Sequence, residues 1–119
     1  MNKSASPALG GTELVNTILE ALNEALAEEI TTIDLREKKV ASDWFIVCRA
    51  DNTVHTRACA DRVLEHCITR NTRPWQREGL EDGRWILLDF SDVVVHIMLP
   101  DLREYYRLEE LWSGKQSAD

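Results

Sequence analysis

The sequence predicts a single α/β domain, a mixed sheet of about five strands packed by helices. Three observations carry this. Two stretches show helical spacing of apolar residues, several short runs are β-branched and apolar, and one pair of such runs reads as a hairpin. The 119 residues suit one domain. A hydrophobic share of 44% supports a core, and a charged share of 29% supports a soluble surface.

Residues 1–11 are small and polar with one lysine, and are expected to form a disordered lead-in to a domain spanning 12–112. They have neither the apolar core of a signal peptide nor the arginine-rich amphipathicity of a transit peptide, so a cytoplasmic protein is expected. No apolar run reaches the roughly 20 residues that cross a bilayer. From Thr12 to Glu28, Leu14, Ile18, Leu22 and Leu26 form an apolar stripe, with Thr12 as the N-cap. Thr31 to Leu35 is a short β-branched strand. Trp44 to Cys48 is apolar throughout, which predicts burial on both faces.

Asp51, Asn52 and Thr53 offer N-caps for a second helix over 53–70. Its core side is Ala60, Val63, Leu64, Cys67 and Ile68, with Asn71 as the stop. Pro74 places any strand over 72–78 at a sheet edge. Arg84 to Leu99 reads as two strands around Ser91. A turn at Phe90-Ser91 pairs Asp89 with Asp92, Leu87 with Val94 and Trp85 with His96.

One face of that hairpin then holds Ile86, Leu88, Phe90, Val93, Val95, Ile97 and Leu99, all apolar. The other holds Trp85, Leu87, Asp89, Asp92, Val94, His96 and Met98. Large apolar groups mixed with charge make this a candidate binding face. Pro100 ends the sheet, and Asp101 with Glu104 resembles a capping box. A last helix follows with Leu102, Tyr105, Tyr106, Leu108, Leu111 and Trp112 as contacts, and residues 113–119 form a frayed tail.

Charge narrows the function. A net charge of −7 opposes extensive nucleic-acid binding, which rests on Lys and Arg displacing counterions. A basic protein partner fits better, although acidity also serves solubility. The three cysteines, Cys48, Cys59 and Cys67, show no CxxC spacing and read as buried, reduced thiols.

Asp89, Asp92 and His96 are the one cluster that resembles chemistry, as a divalent-metal or acid–base set. On the predicted pairing His96 lies about 13 Å along the strand from the acids, too far to share a metal with them. The plainer reading is acids flanking a turn and a histidine with a local hydrogen bond. No GxSxG, P-loop or GxGxxG is present. No cofactor is expected. Of four tryptophans, Trp44 and Trp112 read as core, Trp75 as half exposed and Trp85 as an interface anchor.

Glu78-Gly79, then GRWILLDFSDVVVHIM, then YYRLEELW closely resembles the ribosomal silencing factors (the Iojap-like family). The likeness reaches upstream through ITTIDLREKKVASDWFIVC and HTRACADRV, and so covers about residues 12–112. Two departures are the loop Ala50 to Val54 and Ser91, where the family has a hairpin glycine.

The resemblance implies a nucleotidyltransferase-like fold without the catalytic signature. It implies binding to the large ribosomal subunit through one ribosomal protein at the intersubunit face. That binding would block subunit joining and lower translation when nutrients are scarce. It also implies that the chain acts without catalysis, that a homodimer is an open expectation, and that Trp85 belongs to the ribosome-facing surface. Leu87, Asp89, Asp92, Val94, His96 and Met98 share its predicted face, with Glu78 beside it. The rivals are a divergent metal-dependent nucleotidyltransferase-like enzyme using Asp89 and Asp92 with Mg²⁺, and a dimerisation module that buries the mixed face on itself.

Overall fold

A computed structural model describes residues 8–38 and 40–106, with the side chains of 104–106 excepted. The expectations for residues 1–7, the frayed tail, Leu108, Leu111, Trp112 and the side chains of Glu104, Tyr105 and Tyr106 lie outside the described residues.

The elements run α1 (Gly11–Glu24), β1 (Glu28–Asp34), β2 (Trp44–Arg49), α2 (Thr53–Ile68), β3 (Gln76–Glu78), β4 (Trp85–Asp89), β5 (Val93–Met98) and α3 (Pro100–Tyr106). One five-stranded sheet has the order β1-β2-β5-β4-β3. β2 and β5 are parallel, and every other pair is antiparallel. The mixed α/β sheet expected from the sequence is therefore present, with β3 at an edge as Pro74 required.

α1 and α2 cover one sheet face. Leu14, Ile18, Leu22, Val63 and Cys67 meet Ile46, Ile86, Leu88, Val95 and Ile97 there in the main core. Asn52 caps α2 by accepting the His55 N–H at 2.9 Å. Asn71 ends it in the left-handed region (φ 58). There the Thr72 N–H reaches the Cys67 carbonyl and the Asn71 N–H the Ile68 carbonyl, a Schellman closure.

α1 ends four residues earlier than the apolar stripe suggested. Leu26 takes φ 63 and closes the helix through Leu26 N–H to Asn23 and Ala27 N–H to Leu22. Its side chain is 74% exposed, so it is a helix stop and not a core residue. β1 accordingly starts at Glu28 rather than Thr31.

The opposite sheet face carries a smaller core of Ile33, Leu35, Val47 and Met98, with Phe45, Trp85 and Leu102 against it. α3 begins at Pro100, whose fixed φ and missing N–H suit a first helical turn. The Arg103 guanidinium ties α3 to β1 through the Glu29 carbonyl (2.9 Å) and the Thr31 hydroxyl (3.2 Å). The three cysteines are free and buried. Burial raises the thiols of Cys59 and Cys67 to about 11, and that of Cys48 further.

Candidate functional site

The β4–β5 hairpin is offset by two residues from the predicted pairing. Asp89 faces Val94, Leu87 faces His96 and Trp85 faces Met98. The turn is Ser91-Asp92, closed by the Phe90 N–H on the Val93 carbonyl at 2.8 Å. Ser91 supplies the positive φ (79) that the first turn position needs, and its N–H donates to the Asp89 carboxylate at 2.8 Å. An even offset leaves every side chain on its expected face. Asp92 is the exception: it sits in the turn, and its carbonyl accepts from the Asp43 and Trp44 N–H groups.

β3 extends this face. Gln76 faces Asp89 and Glu78 faces Leu87, so both share the side of Trp85, Leu87 and Asp89. Of the face as predicted, Val94, His96 and Met98 are buried, while Trp85, Leu87 and Asp89 are half-buried and Glu78 is exposed. The expected partly exposed face is therefore open in its β3–β4 half and covered over β5. The reason is topological: Leu102 of α3 packs on this face with Ile33, Leu35, Val47 and Met98, Trp85 borders that cluster, and Leu87, Asp89 and the β3 residues lie outside it.

Trp85 is held from the side by its neighbours on the same face. Its indole N–H donates to Nδ1 of His96 at 3.1 Å, and the rings lie 6.0 Å apart at 51°. Phe45 flanks the imidazole from β2, with ring centroids 4.9 Å apart. His96 is 6% exposed. Burial lowers its pKa to about 4, and the nearby Asp89 carboxylate pulls weakly the other way. The ring is therefore neutral at pH 7. Since Nδ1 accepts, the proton sits on Nε2.

In front of Trp85 lies a depression of about 350 Å³ lined by Glu78, Gly79, Trp85 and Leu87. Gly79 has φ 82, and a Cβ there would stand 2.0 Å from the Trp85 carbonyl oxygen, so only glycine fits. The loop from Gly79 to Gly83 is anchored by Arg57 of α2. Its guanidinium donates to the carbonyls of Leu80 (2.9 Å) and Glu81 (2.6 Å). Buried Thr56 donates to the Gly83 carbonyl at 2.6 Å.

Gln76, Gly79 and Arg57 were missed in the sequence. Gly79 had a signal, standing beside Glu78 ahead of Trp85. Arg57 had none, because its partners are main-chain carbonyls more than twenty residues away. Among the described residues, no three His, Cys, Asp or Glu side chains come together as a metal-binding set. No described helix is long and apolar enough to cross a membrane.

A strip with an aromatic anchor, an aliphatic neighbour and an acidic rim suits recognition of a protein surface. A ribosomal silencing factor of Bacillus subtilis is 31% identical over 99 residues, covering 83% of this chain and 84% of that protein. The crystal structure of a Chromobacterium violaceum protein matches with a TM-score of 0.85 at 31% identity, covering 92% of both chains. A mouse protein named for mitochondrial assembly of the ribosomal large subunit is 28% identical, over 88% of this chain and 47% of its own length. The family model described as "ribosomal silencing factor during starvation" matches residues 9–119, and the chain belongs to that family.

Proposed function

We propose that this protein binds the large ribosomal subunit and blocks its association with the small subunit, repressing translation under nutrient limitation. It acts in the cytoplasm as a binding protein, without catalysis or cofactor. Its contact is a basic ribosomal protein at the intersubunit face. The observation that carries this reading is the open β3–β4 strip. Trp85 and Leu87 offer apolar area at its centre, and Asp89 and Glu78 offer negative charge at its rim.

Such rim charges contribute little each to affinity, but they orient a basic partner during encounter. Family membership supports the ribosomal reading, and the mouse relative's name supports the large subunit. Val94, His96 and Met98 flank the strip from β5 on the same face: His96 fixes the indole, and Met98 packs in the small core that Trp85 borders.

The test is light scattering from mixed small and large subunits. With the protein present, association falls as its concentration rises. With Trp85→Ala it falls only at much higher concentration. Undiminished association at saturating protein would contradict the reading. The enzyme alternative, with Asp89 and Asp92 holding Mg²⁺, requires a Mg²⁺-dependent rise in melting temperature that Asp89→Asn removes.

A further inference from the structure

The depression beside Trp85 restricts the side chain that a docked partner can place in it. Trp85 and Leu87 line it with apolar groups, Gly79 with bare main chain and Glu78 with a carboxylate, around a volume of about 350 Å³. Glu78 lies opposite Leu87 in the β3–β4 ladder, so the acid stands on the same face as both apolar groups. The Gln76 amide donates to Oε2 of Glu78 at 2.5 Å. That contact orients the carboxylate and leaves its charge unneutralised. Among the described residues, no Lys, Arg or His pairs with Glu78. Asp89, the other acid of the strip, already accepts the Ser91 N–H.

Three occupants can be weighed against this lining. The N–H of the indole is already donated to Nδ1 of His96, so Trp85 offers a newcomer ring surface and no donor. An apolar side chain would match Trp85 and Leu87, but it would cover the Glu78 carboxylate without a partner, which is costly. An ammonium would pair with Glu78, but as a compact point charge it makes little use of a flat ring. A guanidinium meets every wall. Its plane lies against the indole, its N–H fork meets the carboxylate, and its aliphatic stem packs on Leu87.

We propose that an arginine of the bound ribosomal protein inserts between Trp85 and Glu78 and anchors the complex. This rests on the large-subunit reading above and names the chemistry of its central contact. Glu78 is exposed in the free chain. A docked partner would cut the pair off from water, and it then contributes more than an open rim charge does.

The test is co-sedimentation of the full chain with purified large subunits, comparing wild type, Glu78→Gln, Glu78→Lys and Trp85→Glu. Phenylglyoxal and acetylation footprints of the wild-type complex, read by mass spectrometry, identify the arginines and lysines of ribosomal proteins that it shields. Subunits carrying glutamine in place of a shielded arginine then complete a double-mutant cycle with Glu78→Gln. Glu78→Gln is expected to weaken binding roughly tenfold, for a lost charge-assisted hydrogen bond. Glu78→Lys should weaken it further, since two cations would then meet. One shielded arginine should be coupled to Glu78, so that its replacement costs little once Glu78 is already glutamine.

Equal affinity of Glu78→Gln and wild type, with Trp85→Glu defective, would overturn this proposal in favour of an apolar anchor and leave the Trp85 reading intact. Shielding of lysines alone would overturn it in favour of an ammonium. Strictly additive effects for every shielded arginine would also overturn it. Failure of wild type to bind large subunits would remove both readings together.

Discussion

The indole N–H of Trp85 and Nδ1 of His96 are joined by a 3.1 Å hydrogen bond that runs diagonally across the β4–β5 hairpin. Trp85 lies opposite Met98 and His96 opposite Leu87, so the bond links neighbouring pairs on one face. It joins a half-exposed side chain to a buried one. The exposed indole thereby inherits the rigidity of the core, which lowers the ordering cost on binding. His96→Phe keeps a ring in place but removes the acceptor. Large-subunit affinity is expected to fall roughly fivefold, for one hydrogen bond of about 1 kcal/mol. An unchanged affinity in equilibrium sedimentation would show that the bond does not prepare the indole.

The burial of His96 makes stability depend on pH. Burial lowers the His96 pKa to about 4 in the folded state, against about 6.5 in an unfolded chain. Between these values the unfolded state binds more protons, so stability rises with pH. The contribution is fully present above about pH 6.5 and is lost as pH falls towards 4. Its size is on the order of 3 kcal/mol. Protonation would also turn Nδ1 into a donor and break the Trp85 bond. Urea midpoints measured from pH 7.5 to 4.5 should fall for wild type, and much less for His96→Phe. Parallel curves would rule out His96 as the source.

Gly79 sets the position of the Trp85 main chain. A Cβ there would meet the Trp85 carbonyl at 2.0 Å, on a backbone with φ 82. Gly79→Ala is expected to cost more than about 2 kcal/mol, since both the strain and the clash must be relieved by moving β4. Its binding should suffer even where the variant remains folded. Arg57→Ala, which releases the other end of the loop, is expected to cost about 1–2 kcal/mol. Chemical denaturation of both variants checks the order.

Two positions are stabilising opportunities. Leu26 (φ 63) and Ser91 (φ 79) hold left-handed conformations that glycine adopts without a Cβ penalty. Leu26→Gly and Ser91→Gly should each stabilise by about 1 kcal/mol, offset in part by the greater freedom of glycine in the unfolded chain. Calorimetry would show a melting temperature higher by a few degrees for each. A decrease at Leu26 would mean that its side chain packs to useful effect.

Much of this was legible in the residues. Alternation in 84–99 assigned both faces of the hairpin, and Pro74 placed β3 at an edge. The two-residue offset was not legible. Phe90-Ser91 and Ser91-Asp92 are equally plausible turns until the Asp89 carboxylate is seen accepting the Ser91 N–H. The early end of α1 was hidden because Leu26 continues the apolar spacing while its backbone turns left-handed. Burial over β5 depends on Phe45 and Trp85 flanking His96 and on Leu102 packing with Met98, and side-chain pattern in the hairpin carries no record of that. His96 could be expected to find a local hydrogen bond, but its partner required the true register.

The most direct measurement is co-sedimentation of wild type and Trp85→Glu with purified large ribosomal subunits, with melting curves showing both to be folded. A carboxylate in the middle of an apolar contact would be buried without a partner, which costs several kcal/mol. Wild type is expected to pellet with the subunit and Trp85→Glu to stay in the supernatant. Equal pelleting of the two would contradict the role given to the Trp85 strip, and failure of both would contradict ribosome binding itself.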